Sequence, residues 1–487
     1  MRRLLIMVIL ALVCGACGAP PQNAATNPTT AANSTSGLVE RPTIGIPTPD
    51  VAPTVADPVR GAVTIVYQVP QDGSVRGIMS DGATLLLADP TNSNQTVPWA
   101  LAPDGRTIAV LVLQGGDAKT GLYTSAALWT VGIDESNPTK RLELLSDFPG
   151  GDTVQQRSIV SALTNPGFQR LIWTADGNEI IVTSAHEGQV DVYAVPVAGG
   201  NPRRITNTPA LELQAALAPD GTTLAYGTTD NFGTGDGWSN VGAWVQPLDG
   251  EPTSIIGANV DTWASVEIAG WLANQTAVAL VRDQGVVNTA IWVREGNAEP
   301  RELYAATADV AWDIAPNRFA FTRSAVGNPK ADGGLLLWDG STAEPQLVSN
   351  AASLVHLAPQ ADLMLICEGD TPNEYSFTLW NAGNAASFSS GPCDDVAWSD
   401  TGVLAVGGQQ ANTGGWVVDG NGGVRELSIP SGARLAGWNG DDLYLFAPES
   451  GGTWQLYRLD TTRQDPPQPI GAPIAFEPYT PVVVQTP

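Results

Sequence analysis

The sequence predicts an all-β protein built as a single β-propeller of four-stranded antiparallel blades. Three observations predict it: a composition rich in turn formers, a recurring turn motif, and an aromatic residue that recurs at the same period. The 487 residues include 52 glycines, 37 prolines and 15 tryptophans, while only 15% are charged. Many turns and many large side chains are typical of short strands. After residue 60 no long stretch shows apolar residues at helical spacing.

The turn motif is an apolar strand end, a Pro-Asp-Gly turn and a second strand rich in Ile, Val, Leu and Ala. Its clearest copies are Leu101–Val110, Trp173–Val182 and Leu217–Tyr226. Proline presets φ, aspartate bonds its own backbone, and glycine takes the positive φ that the hairpin needs. Weaker copies begin at five further residues: Trp271, Ile314, Leu357, Trp398 and Trp438.

A second marker gives an independent count of the units. One aromatic residue lies in a later strand of each: Trp129, Tyr193, Trp244, Trp292, Trp338, Trp380, Trp416 and Tyr457. Both markers count eight, at a period of about 40 to 54 residues that is typical of propeller blades. Blades stack around a ring that closes to protect its edges. We expect eight blades, with the turns on one face and each first strand lining the channel.

The boundaries of the predicted propeller are residues 61–475, followed by a C-terminal tail at 476–487. An extra piece, from Val63–Tyr67 through Leu85–Leu87, is expected to supply a closing strand. If that piece and the last unit share one blade, the ring has seven. The spacing from Asp104 to Asp176 exceeds the period, which predicts an inserted loop between residues 114 and 165.

The N-terminus carries the features of an export signal. Met1–Arg3 is basic, Leu4–Val13 is apolar, and small residues precede Cys17. The apolar run is too short to span a bilayer core, which needs about 20 residues. The segment resembles a bacterial lipoprotein signal peptide, residues 1–16, with Cys14 where leucine is usual. This resemblance implies that Cys17 carries diacylglyceryl and acyl chains; the alternative is an ordinary secretory signal with an incidental cysteine.

Residues 17–60 are rich in Pro, Thr, Ala and Asn and contain few large apolar residues. Such a stretch buries too little surface to offset its ordering entropy, so we expect a disordered linker that lifts a domain off the membrane. The predicted location is the cell membrane or outer envelope, lipid-anchored and facing the periplasm or the exterior.

The charge of the chain limits its partners. Lysine and arginine number 23 against 49 acidic residues, a net charge of −26. Phosphate backbones and anionic lipid headgroups repel such a surface, which excludes nucleic-acid binding. We expect a monomer that binds a protein, a peptide or an envelope polymer on one propeller face.

The turn motif, the later Leu-Trp or Leu-Tyr strand and an Arg-x-Leu/Ile-Thr ending resemble the TolB-type propeller repeat of exported bacterial proteins, which is similar to WD repeats. The resemblance covers about residues 100–470 and is best at the three clear turn motifs. It implies an interaction scaffold in the periplasm or at the cell surface, and it implies no reaction. The domain that precedes the propeller in TolB is absent here, since residues 18–60 are too short and too polar to fold.

Two groups of residues with oxygen-bearing side chains could hold a metal ion. Asp104, Asp176 and Asp220 recur like a carboxylate ring, but the turn alone explains them. The segment 230–240 is rich in oxygen ligands, and Asp230, Asn231 and Asp236 are weak candidates for calcium. It lacks the spacing of an EF-hand loop, and a plain loop is the alternative; we expect no other cofactor. Trp238 and Trp263 fall outside the repeat columns and are candidates for exposed contacts.

Cys367 and Cys393 are predicted to form a disulfide bond. Cys367 ends the second strand of one unit and Cys393 precedes the first strand of the next, and in a propeller these two positions share a face. An oxidising location permits the bond. The alternative is a pair of buried free thiols.

Catalysis finds little support in the sequence. The two histidines, His186 and His356, lie in different units, and there is no Gly-x-Ser-x-Gly or His-Glu-x-x-His motif. We therefore predict a non-enzymatic interaction module. The alternatives are an enzyme acting on a glycan or peptide at the channel mouth, and a purely structural envelope protein.

Overall fold

The computed structural model describes residues 62–89, 97–114, 125–134, 137–145, 154–165, 167–230, 241–256, 263–283, 288–306, 310–323, 334–360, 362–369, 374–381, 383–393, 395–407, 415–419, 423–463 and 465–484. All of them belong to the compact unit Arg60–Pro487. The signal peptide, Cys17 and the linker lie outside this part of the chain and stay predictions.

Within the described residues, nine four-stranded antiparallel sheets form nine blades. The N-terminal strands of blade 1 are β1 (Val63–Gln68), β2 (Val75–Met79) and β3 (Thr84–Ala88). Blades 2 to 9 each use four consecutive strands, ordered from the channel outward.

The bounds of these consecutive strands are as follows. Blade 2 contains β4 (Trp99–Leu101), β5 (Thr107–Gln114), β6 (Ser125–Gly132) and β7 (Thr139–Leu145); blade 3 contains β8 (Ile172–Trp173), β9 (Glu179–Ser184), β10 (Asp191–Pro196) and β11 (Arg203–Arg204). Blade 4 contains β12 (Leu211–Leu217), β13 (Thr223–Thr229), β14 (Gly242–Pro247) and β15 (Thr253–Ser254); blade 5 contains β16 (Trp263–Leu272), β17 (Thr276–Asp283), β18 (Thr289–Glu295) and β19 (Arg301–Ala306). Blade 6 contains β20 (Trp312–Ala315), β21 (Arg318–Thr322), β22 (Leu335–Trp338) and β23 (Gln346–Ser349); blade 7 contains β24 (Ala352–Leu357), β25 (Leu363–Glu368), β26 (Tyr375–Asn381) and β27 (Asn384–Gly391). Blade 8 contains β28 (Val396–Trp398), β29 (Leu404–Val406), β30 (Gly415–Val418) and β31 (Val424–Leu427); blade 9 contains β32 (Arg434–Asn439), β33 (Asp442–Pro448), β34 (Trp454–Asp460) and β35 (Gln468–Ile474).

The expected count of eight blades is wrong by one, because both ends of the chain build a ninth. The last strand, β36 (Tyr479–Val483), pairs antiparallel with β1 and becomes the innermost strand of blade 1. The N-terminal piece therefore supplies three strands and not one, and residues 479–483 of the predicted tail belong to the propeller. Neither marker appears in blade 1: its first two strands come from opposite ends of the chain, and β2 has no aromatic residue.

The ring closes on itself. Blades 1 to 5 touch in order through β3 and β6, β7 and β9, β9 and β12, and β12 and β16; β16 and β20, and β20 and β24, join blades 5 to 7. Leu365 of blade 7 and Leu404 of blade 8 share one apolar cluster. The inner strands β28, β32 and β36 then connect blades 8, 9 and 1. In blades 2 to 9 the first-to-second-strand turn lies at the same end of the sheet, so these turns share one face, here called the turn face, as expected.

The third-strand aromatic residues are also confirmed in their place. All eight lie on the third strands of blades 2 to 9. Trp338 and Tyr193 are almost fully buried, and the others pack half-buried against apolar clusters between neighbouring sheets. Each such side chain contributes about 1.5–3 kcal/mol when buried, so this column holds the blades together.

The chain also contains a helix that its apolar spacing did not indicate. Helix α1 (Val154–Thr164) lies between β7 and β8, inside the predicted insertion. Its residues Ile159, Val160 and Leu163 are buried and belong to the cluster that joins blades 1 to 4. Three turns are too short for a periodic pattern to be read with assurance, and packing against β9 and β12 stabilises the helix.

Candidate functional site

The predicted carboxylate ring serves the turns. The Oδ1 atoms of Asp104, Asp176 and Asp220 accept the backbone N–H groups of the residues two positions later, at 2.9, 3.0 and 2.9 Å. The hydroxyl group of Thr174 also donates to Asp176 and, with the bonds from Asn178, lowers the pKa of that exposed carboxyl. Among the described residues no group of three or more His, Cys, Asp or Glu side chains is arranged to hold a metal ion.

The other predicted site residues do not form one site in the structure. Cys367 and Cys393 form a disulfide bond, with their Cα atoms 6.3 Å apart. Asp230 is exposed directly after β13, while Asn231, Asp236 and Trp238 lie outside the described residues, as does the side chain of Trp263.

The two histidines lie in blades 3 and 7 and serve local contacts. The ring of His186 packs edge-on against Tyr193, with 6.2 Å between the ring centroids. His356 Nε2 hydrogen-bonds to Cys393 O at 2.8 Å, beside the disulfide. Neither arrangement pairs a histidine with a nucleophile.

A cleft opens where three neighbouring inner strands reach the turn face. It has a volume of about 300 Å³ and lies between the ends of β28, β32 and the closing strand β36. Its lining residues are Trp398, Ser399, Asp400, Thr401, Ala436, Gly437, Trp438, Gly440, Pro481, Val482 and Val483. Ligand sites in proteins begin at about this volume, so the cleft suits one side chain or one small group.

Tryptophans recur at the ends of inner strands, and one of them, Trp438, lines the cleft. The indole Nε1 atoms of Trp173, Trp271 and Trp438 donate to a carbonyl oxygen of the preceding inner strand, at 3.3, 2.9 and 3.2 Å. The acceptors are Ala100, Ala216 and Ala397. Each bond ties one blade to the blade before it.

Trp398 holds the equivalent position in blade 8 but breaks the pattern. It is half-buried, and its Nε1 atom finds no acceptor among the described residues. A buried N–H group without a partner costs about 1–3 kcal/mol, and such a group in a native structure calls for a water or a ligand to explain it. The sequence placed Trp398 in the turn column but contained no sign of the missing acceptor.

The polar groups of the cleft suit binding better than acid–base chemistry. Ser399 Oγ lies 3.0 Å from Thr401 Oγ1 and accepts the N–H of Val403 at 2.8 Å, so it is engaged in its own turn. Asp400 and Thr401 are exposed. The lining contains one carboxylate and no histidine, so it offers no second titratable group to act as the partner in general acid–base catalysis.

No protein-family model matches this chain, and no curated protein matches its sequence. Among solved structures, dipeptidyl peptidase 4 of Porphyromonas gingivalis is 10% identical with a TM-score of 0.48, and the match covers 82% of this chain and 64% of the peptidase. A eukaryotic initiation factor is 10% identical with a TM-score of 0.48, over 88% of this chain and 99% of its own. TolB from Acinetobacter baumannii is 11% identical with a TM-score of 0.29, over 78% and 83%. The chain thus spans less than two thirds of the length of the peptidase.

Among the described residues, no helix is both long enough and apolar enough to cross a membrane. The sheet order and the contacts between blades establish the architecture by themselves. The chain is a multi-blade β-propeller.

Proposed function

We propose that the chain is a non-catalytic binding module, tethered outside the cytoplasm by a lipid on Cys17, whose turn-face cleft binds a peptide segment of a partner protein. The observation that carries the proposal is Trp398, which lines the cleft and whose buried indole N–H group has no acceptor among the described residues. A backbone carbonyl of an extended peptide is the acceptor that this donor lacks.

The charge of the chain favours a basic peptide. Asp400 is the one charged side chain of the cleft lining, and the whole chain carries a net charge of −26. A surface of one sign attracts partners of the opposite sign and speeds their association. A Lys or Arg side chain near Asp400 would also lie close to Trp398, whose ring face attracts cations.

The proposal is tested by titrating basic and acidic peptides of equal length against the protein. In Trp398→Phe the aromatic ring remains and the N–H group is lost. We expect this variant to bind basic peptides at least tenfold more weakly, because a hydrogen bond in a buried site is worth about 1.5 kcal/mol. Its folding stability should fall less than that of Trp271→Phe, since packing is lost but no hydrogen bond within the protein is removed.

Trp271→Phe is the matched control. It removes the N–H group that donates to Ala216 O in blade 4, away from the cleft. We expect lower stability and unchanged peptide binding. Equal affinities for the wild type and Trp398→Phe would contradict the proposal, as would cleavage of the peptides by the wild type.

The anchor and the calcium site need experiments of their own. If Cys17 carries lipid, Cys17→Ser should stay unprocessed by the lipoprotein peptidase and should not partition into detergent; wild-type protein found wholly in the soluble exported fraction would exclude the anchor. Calcium at Asp230, Asn231 and Asp236 is checked by a calcium titration of the thermal unfolding temperature, in which a bound ion would raise that temperature.

A further inference from the structure

Two buried carboxyl groups face each other between blades 3 and 4, away from the cleft. Asp191 begins β10 in blade 3, and Glu212 lies on β12, the inner strand of blade 4. Both side chains are fully buried. Burying a charge is costly unless it is paired, so the partners of these two groups decide their protonation.

One oxygen of each carboxyl group has a donor. Arg204 Nη2 donates to Asp191 Oδ2 at 2.5 Å, and Thr208 Oγ1 donates to Glu212 Oε1 at 2.5 Å. The remaining oxygens, Asp191 Oδ1 and Glu212 Oε2, receive no N–H or O–H group from the described residues. The backbone N–H of Glu212 donates to the carbonyl oxygen of Val190, the residue before Asp191, so the two carboxyl groups lie close together.

Two ionised carboxylates close together in a buried site repel each other, and burial removes the water that would screen them. In such a site a carboxyl group stays ionised at low cost only where a cation is paired with it. Burial, and then the charge of Asp191, raise the pKa of Glu212 well above its usual value. Burial also raises the pKa of Asp191, but the Arg204 guanidinium opposes that effect. Asp191 is paired with the Arg204 guanidinium and Glu212 has only the Thr208 hydroxyl group, so Glu212 is the group that holds the proton.

The other groups around the pair do not supply a second cation. Glu187 accepts from Arg204 Nη1 at 3.3 Å and competes for its charge. Burial raises the pKa of Tyr193 to about 12 and raises the pKa of Tyr226, so both phenols stay neutral.

The charged groups described on the elements packed against this region do not change the protonation of Asp191 and Glu212. In helix α1, the residues with described side chains, 158–164, carry no charge. On the next inner strand, β16, Glu267 is paired with Arg282 at 3.1 Å.

We propose that Asp191 and Glu212 form a proton-dependent latch that joins blades 3 and 4 in acid and weakens as the pH rises. The pKa of Glu212 is higher in the folded chain than its usual value of 4.5. The stabilisation is therefore complete below pH 4.5 and is lost as the pH rises through the folded-state pKa, because the unfolded chain releases its proton first. For one proton, the folding equilibrium constant falls about tenfold per pH unit in that window.

The latch reaches the backbone at the junction of the two blades. Glu212 N donates to Val190 O at 3.3 Å, just before the strand that carries Asp191. Ionisation of Glu212 places two negative charges side by side in a buried site, which separates β10 from β12. The amide hydrogen of Glu212 therefore reports on the opening.

The experiment measures unfolding of the full chain by denaturant at a series of pH values from 4 to 8. In Glu212→Gln the side chain keeps nearly the same shape and cannot titrate. We expect this variant to lose the one-proton slope, so that its folding constant gains about tenfold per pH unit on the wild type above pH 4.5. Hydrogen exchange at the Glu212 amide of the wild type should accelerate with pH beyond the intrinsic rate.

Glu267→Gln is the matched control, since it changes the same residue type on the neighbouring inner strand. It breaks the pair with Arg282, so it should lower stability at neutral pH and keep the slope of the wild type. Asp191→Asn removes only the second cause of the raised pKa of Glu212, so it should narrow the pH window of the slope without abolishing it. The latch is refuted if Glu212→Gln keeps the wild-type pH profile, or if it does not fold at pH 7.

Discussion

Cys367 lies near the end of β25, and Cys393 follows β27 on the path into blade 8. Both are buried within the cluster that joins blades 7 and 8. The bond between them secures the outer strand β27, whose side chains are largely exposed, to the buried second strand of its own blade.

A disulfide between residues 26 positions apart restricts the unfolded chain. In the chain-entropy model a loop of this length stabilises the fold by about 3.5 kcal/mol. We expect Cys393→Ser to lower the free energy of unfolding by up to about this amount. The tryptic peptide that contains both cysteines, residues 331–425, should be lighter by two hydrogen atoms before reduction than after it, and titration of the unfolded, unreduced protein should find no reactive thiol at either position.

Addition of reductant to the wild type is the control for this variant. It should lower stability by a similar amount, because it opens the same loop. Two reactive thiols at these positions, or a reductant-independent stability, would show that the thiols are free.

The sequence correctly predicted the positions of those residues whose role depends only on their own blade. The third-strand aromatics and the turn aspartates follow a local pattern, and each lies where that pattern places it. Trp398 and Glu212 differ, because their roles depend on a neighbouring blade. Trp398 finds no acceptor there, and Glu212 meets a second carboxyl group. A one-dimensional pattern does not contain these contacts.

At the scale of the strands, side chains on the channel wall join blades that share no sheet. Three of them accept a backbone N–H of the next inner strand: Gln214 from Ile268 at 3.0 Å, Asp313 from Leu357 at 2.8 Å and Asp395 from Leu435 at 3.0 Å. Inner strands of neighbouring blades are not paired, so these N–H groups would otherwise lack a partner on that side.

Asp395 offers a direct test of this arrangement. Asp395→Ala leaves the N–H of the half-buried Leu435 without its acceptor, and we expect a loss of about 1–3 kcal/mol in the free energy of unfolding. Asp395→Asn keeps a carbonyl oxygen at that place and should lose less. Denaturant unfolding of both variants measures the difference, and equal losses would show that the hydrogen bond is not the cause.

The junction of blades 9 and 1 depends on two glycines. A Cβ atom added at Gly82, in the turn between β2 and β3, would overlap the backbone of Gly471 in β35. Both have a positive φ, of 84° and 66°. Because neither glycine has a side chain, the outer strand of blade 9 can pack this closely against blade 1.

Gly82→Ala should therefore destabilise the protein more than a Gly→Ala change whose only cost is the strain of a positive φ. Gly177→Ala is the control, since its φ is 70° and an added Cβ would meet nothing within 4 Å. We expect the loss at Gly82 to exceed the loss at Gly177 by about 1–3 kcal/mol, the usual cost of overpacking. Equal losses in denaturant unfolding would indicate that blades 9 and 1 are less closely packed.

For the whole molecule, the sequence predicted the architecture but not the closure. The repeat and its four strands are properties of one blade, and eight copies are visible in the sequence. The ninth blade is assembled from β1, β2, β3 and β36, which lie at opposite ends of the chain. Its residues carry no repeat marker, so only the pairing of β36 with β1 shows that they belong together.

Closure by β36 predicts the effect of a truncation. A chain ending at Ile474 lacks the strand that covers the buried residues Ile65 and Val66 of β1. It also loses Val483, which belongs to the apolar cluster shared by blades 9 and 1. An uncovered edge strand pairs with other chains, so we expect this truncated chain to unfold at lower denaturant concentration and to associate.

A chain ending at Val484 keeps β36 and should match the full chain in stability and remain a monomer. A synthetic peptide of residues 475–487 should restore stability to the shorter chain, because it supplies the missing strand. If the chain ending at Ile474 were monomeric and as stable as the full chain, ring closure through β36 would not contribute to the fold.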